Sequence, residues 1–123
     1  MSTARLRYEP IDEQTARLSL DGDIDSLVAI ALERAIRAAT TERGTDYFLV
    51  DLTDVRVMDA ALVESLFHVA RLLDRRQGSL VVVAPAGSQA RSALITAGLA
   101  RSISVAATRN EAVNAWLDAR LTR

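Results

Sequence analysis

Tyr47-Phe48-Leu49-Val50-Asp51-Leu52 and, after a short polar stretch, Val57-Met58-Asp59-Ala60-Ala61-Leu62-Val63 decide how this chain is read. The first run is apolar with little alternation, the pattern of a central strand covered on both faces. The second sets an acidic residue where an apolar periodicity of helical spacing begins, so Asp59 suits a helix N-cap. Strand, polar turn and acidic helix start is a junction at which many α/β domains place a functional group.

Outward from that junction the elements follow in order. Leu6 to Tyr8 alternates weakly and reads as a short first strand. Ala16-Arg17-Leu18-Ser19-Leu20 has the period of a half-buried strand, and Asp21-Gly22 is expected to turn the chain. Asp25 then caps a helix with an apolar stripe of Val28, Leu32, Ala35, Ile36 and Ala39; Glu33 and Arg37 pair on another face, and Gly44 ends it. The helix opened at Asp59 or Ala60 is expected to run to about Gln77 and stop at Gly78. It carries Leu62, Leu66, Val69 and Leu73 on one face and Glu64, His68, Arg71 and Arg75 on another. Leu80 to Val83 is a further central strand, Ser88 to Ala97 a short helix stopped by Gly98, and Ile103 to Val105 a last strand. Thr108-Arg109-Asn110-Glu111 is a capping box opening a helix through Val113, Trp116, Leu117 and Leu121, with Trp116 expected in the core. An initial hairpin followed by alternating strands and helices predicts an α/β fold with a mixed, mostly parallel sheet and packed helices, in the order β-β-α-β-α-β-α-β-α.

Composition narrows the function. A chain of 123 residues, half hydrophobic and a quarter charged, suits one domain over residues 1–123 with a single core. Its net charge of −1 gives no basic footprint for nucleic acid, although all 15 basic residues are Arg. There is no cysteine, which excludes disulfides, thiolate metal sites and cysteine nucleophiles. Met1 to Pro10 has no apolar core of a signal peptide, and no apolar run is long enough to span a membrane, so a cytoplasmic setting without membrane insertion is expected. His68, the single histidine, has no second imidazole or thiol near it in sequence and reads as solvent-facing rather than metal-binding. No P-loop, dinucleotide fingerprint or nucleophile elbow is present. The expectation is a non-enzymatic domain with no cofactor. Asp51 at a strand end invites a receiver-type phosphoacceptor reading, but that chemistry uses a lysine and the chain has none.

Five segments together resemble the STAS domain family (sulfate transporter and anti-sigma factor antagonist), over about Thr15 to Trp116. They are Gly22-Asp23-Ile24-Asp25, Val50-Asp51-Leu52-Thr53-Asp54-Val55, Met58-Asp59, Thr96-Ala97-Gly98-Leu99 and Thr108 to Val113. The resemblance implies a regulatory, protein-binding domain whose partner is an anti-sigma factor or a similar regulator; a subunit that regulates a transporter ATPase is the alternative, and a homodimer is left open. It also implies a phosphorylated hydroxyl residue in a segment that usually reads Asp-Ser/Thr-Ser-Gly-Leu. Here those positions are Ala60 and Ala61, and Leu62 stands for the glycine. Ala61 has no oxygen to accept a phosphoryl group. The implied partner surface comprises Asp23, Asp25, Met58, Asp59, Ala60, Ala61 and Leu62. Asp25 and Asp59 are equally served by a capping role, and Ser65, one turn beyond Ala61, reads as a packed or solvated serine rather than a substitute acceptor. Val63 and Phe67 lie beside the core stripe, where an exposed pair would suit a partner helix.

Overall fold

The computed structural model describes residues 4–121; the first three residues of the Met1–Pro10 segment lie outside it. Five strands form one sheet in the order β1 (Arg5–Asp12), β2 (Thr15–Ile24), β3 (Tyr47–Met58), β4 (Ser79–Val83) and β5 (Ser104–Ala106). The β1–β2 pair is antiparallel and every other pair is parallel. Between the parallel strands run α1 (Ser26–Arg43), α2 (Ala60–Arg75) and α3 (Gln89–Thr96), and α4 (Arg109–Leu121) closes the order.

The continuous apolar reading of β3 and β4 has a direct cause. Phe48, Val50, Leu52, Leu80 and Val82 point into a core shared with α1, α2 and α3, whereas Leu49, Val81 and Val83 point the other way, against Ala112 and Trp116 of α4. All three crossover helices therefore share one face, as strands added in a single direction with one hand of connection require. Leu32, Leu49, Val50, Leu66, Val81 and Val82 are all buried, in agreement with the sequence-based core.

The main departures concern where elements end. Asp21-Gly22 does not turn the chain: β2 continues to Ile24 through register shifts after Ser19 and Gly22, while the hairpin turn between β1 and β2 lies between Asp12 and Thr15. Nor is Thr53 to Arg56 a polar turn. It continues β3 in parallel register with β2, Asp54 and Arg56 facing solvent while Met58 is buried. β1 is longer than Leu6–Tyr8 because the whole of Arg5–Pro10 finds partners on β2.

Gly78 is needed for a reason other than helix termination. α2 ends at Arg75, and Gln77 takes the left-handed conformation (φ 60°). The Gln77 N–H then donates to the Asp74 carbonyl, and the Gly78 N–H to that of Leu73 at 2.7 Å, a Schellman closure. Gly78 is instead pressed against the backbone of Asp46, whose carbonyl would lie 2.1 Å from a Cβ at this position.

α4 is rotated relative to the expected stripe. Ala112 is buried and Ala115 and Trp116 pack on the sheet, but Val113, Leu117 and Leu121 are exposed. Tethers at both ends fix the rotation. At the start Arg109 Nε donates to Asp51 Oδ2 at 2.7 Å; at the end Arg120 pairs with Asp12 at 2.9 Å and lies over the Tyr47 and Trp116 rings. The Thr108 half of the capping box forms, with the Glu111 N–H donating to Thr108 Oγ1, while the Glu111 carboxylate accepts from the Ala107 N–H one residue before the cap.

Asp51 is thus a structural carboxylate, nearly fully buried under the start of α4. Burial pushes its pKa up, but the Thr53 hydroxyl, the Arg109 guanidinium and the Thr53 N–H all donate to it and hold the carboxyl below its ordinary value. Its stabilising contribution is therefore complete above the unfolded pKa of about 3.9 and is lost as pH falls through the lower folded value. Asp51→Asn is expected to cost about 1–3 kcal/mol near neutral pH, because the donors lose a charged acceptor. Urea titrations at pH 7 and in the acid range should show this deficit shrinking as the parent's carboxylate protonates.

Candidate functional site

At the C-terminal edge of the sheet, β2 and β3 end side by side, Ile24 in register with Met58. The Asp59 N–H donates to the Ile24 carbonyl at 2.9 Å, which brings the starts of α1 and α2 together. Asp25 caps α1 by accepting from the Val28 N–H at 3.0 Å, and Asp59 caps α2 by accepting from the Ala61 N–H at 2.8 Å. Both carboxylates therefore satisfy helix donors that would otherwise lack partners. Asp23 lies one step back on β2 and pairs with Arg56 at 3.2 Å.

Six of the seven sequence-derived positions share this edge with some surface to offer. Asp59 and Ala60 are exposed and Ala61 is half-buried at the second helical position; Asp25 is exposed, Asp23 half-buried and Met58 largely buried. Leu62 differs. It is fully buried in the core, so it fills the volume beneath α2 and presents no side chain to a partner. Among the other hydroxyl residues, Ser65 is buried on the inner side of α2, and the Thr53 hydroxyl donates to Asp51. His68 is exposed, 3.4 Å from Glu33 across the α1–α2 contact.

An open apolar trough of about 680 Å³ begins at this helix start and runs between α2 and α3. Met58, Ala60, Val63 and Phe67 form one wall, Ser92, Ala93, Thr96 and Ala97 the other, and Asp59 and Glu64 also line it. Gln89 ties the two sides together, its Oε1 accepting from the Met58 N–H at 3.3 Å. The sequence reading missed the α3 wall. Its signal was the i,i+4 pair Ala93 and Ala97, two small residues that face the i,i+4 pair Val63 and Phe67 only once the helices are packed.

These features define a class: a mixed α/β domain with an uncharged, hydroxyl-free start of α2 beside two helix-capping carboxylates. Residues 9–106 match the family model described as Mlab, STAS domain, and the chain belongs to the STAS domain family. Similar solved structures include an anti-sigma factor antagonist from Mycobacterium paratuberculosis, with 25% identity, a TM-score of 0.79, and coverage of 94% of this chain and 96% of that one. Unphosphorylated SpoIIAA, also an anti-sigma factor antagonist, shares the fold at 19% identity and a TM-score of 0.77, with 89% and 94% coverage. The phosphorylated form of the Bacillus cell fate determinant SpoIIAA superposes with a TM-score of 0.72 at 19% identity, covering 89% and 97%. No curated protein matches the sequence. No helix among the described residues is long and apolar enough to cross a membrane.

Proposed function

We propose that this chain is a non-enzymatic regulatory domain of the anti-sigma factor antagonist type, which binds a regulatory protein through the start of α2 without a covalent switch at that site. The observation that carries the reading is the helix start itself. Ala60 and Ala61 offer methyl groups where a switchable member would offer hydroxyls, and Asp23, Asp25, Met58 and Asp59 flank them. A phosphate here would add about −1.5 to −2 charges to a surface that already carries three carboxylates. Without an acceptor, that charge never arrives and the surface stays in one state. Alanine methyls also cost little to desolvate at an interface.

The proposal is tested by identifying the protein that co-purifies from the native cell and comparing parent with Ala61→Glu in a purified binding assay. An anti-sigma factor or similar regulator is expected; a transport ATPase would place the domain in transporter control instead. Incubation with ATP and the purified partner should leave the intact mass unchanged. A gain of one phosphate, mapped by fragmentation to Ser26, Thr53 or Ser65, would contradict the unswitched reading.

A further inference from the structure

We propose that the trough between α2 and α3 is the seat for an amphipathic helix of the partner, one that carries arginine or lysine beside its apolar stripe. This rests on the partner-binding reading above and specifies the chemistry of what binds.

The shape favours a helix. The wall from Ala60 to Phe67 spans eight residues of α2, about 10 Å or two helical turns. Beyond Phe67 a second hollow of about 360 Å³, reaching Arg71 and Asp74, extends the same line. The α3 side of the trough is lined mostly by small side chains, Ser92, Ala93, Thr96 and Ala97, so a third helix can approach closely enough for its side chains to reach Val63 and Phe67. Both α2 residues are half-buried and pack on the core, which makes them fixed contact points.

The charge favours a basic flank. Asp59 and Glu64 line the trough, and among the described residues neither has an ion-pair partner. Arg91, on α3, is directed elsewhere and donates to the Ala84 carbonyl. A basic residue flanking the docked stripe would meet these carboxylates, whereas an acidic one would be repelled.

The test uses the full chain labelled with ¹⁵N and two synthetic peptides of about 16 residues. Both carry leucine at i, i+3, i+4 and i+7; one has arginine flanks and the other glutamate in the same places. The arginine peptide is expected to shift the amides of Val63, Phe67, Ala93 and Thr96, and to bind at least about tenfold more tightly than its acidic counterpart. Ala93→Trp fills the trough and should weaken the arginine peptide by about tenfold or more. Should Ala93→Trp fail to fold, Thr96→Trp at the exposed rim serves the same purpose. Equal affinity for the two peptides, shifts confined to another surface, or undiminished binding by the filled variant would overturn the proposal. So would trough shifts that depend on protein concentration without peptide, which would indicate a second copy as the occupant. Ala61→Glu, measured against the purified native partner, separates the two readings. Loss there with an unaffected Ala93→Trp leaves the helix start as the interface and removes only the trough.

Discussion

Gly78→Ala is expected to destabilise the fold by about 3 kcal/mol or more, because the added methyl meets main chain rather than a side chain that could swing aside. The Asp46 carbonyl would lie 2.1 Å from the new Cβ, and the same carbonyl accepts from the Ser79 N–H at 2.9 Å where β4 joins β3. Relief of the clash requires β3 and β4 to part at Tyr47 and Ser79, the first pair of their parallel ladder. Gly44→Ala is the informative control. Gly44 has φ +70° with open space around it, so alanine there meets only left-handed backbone strain of about 1–2 kcal/mol. Thermal melts of both variants should therefore rank Gly78→Ala clearly below Gly44→Ala. The reverse order would mean that the α2–β4 connection can move away from Asp46 at little cost.

Ala61→Glu is expected to leave the domain folded and to weaken binding of the native partner by about 2–5 kcal/mol, if this helix start is central to the interface. The two effects separate for electrostatic reasons. Within the domain, an acidic residue in the first turn interacts favourably with the helix dipole, by about 0.3–1 kcal/mol. That offsets part of the cost of fitting a longer side chain where the half-buried Ala61 methyl packs against the core. Across an interface the same carboxylate must be desolvated next to Asp25 and Asp59, which cap their helices and have no ion-pair partner among the described residues. The measurement is affinity by calorimetry, alongside the melting temperature of both forms. A folded Ala61→Glu that binds as tightly as the parent would show that the interface lies elsewhere.

Much of the molecule was legible in the sequence, for local reasons. Asp25, Asp59, Ser88 and Thr108 announce helix starts because capping needs only a side-chain oxygen within a few residues, and all four accept from their own first turns. The central strands were equally plain, since a strand covered on both faces must be apolar at nearly every position. The missing hydroxyls at Ala60 and Ala61 are a matter of composition and need no structure at all.

What the sequence left undetermined depends on partners distant along the chain. β3 runs on through the polar residues Thr53 to Arg56 because β2 offers a parallel neighbour there, and strand pairing has no local signature when its outer face is solvated. The rotation of α4 follows from ion pairs linking Arg109 with Asp51 and Arg120 with Asp12, 58 and 108 residues apart. These tethers expose Val113, Leu117 and Leu121, although their spacing alone reads as a core stripe. Leu62 belongs by its helical period to the apolar stripe of α2 and by the motif to the partner surface; packing leaves it fully buried. The trough exists only between helices. Sequence by itself determined the elements, the order in which they come and the absence of an acceptor oxygen; tertiary structure decided which faces remain open, because burial is a property of the packed whole and not of any segment.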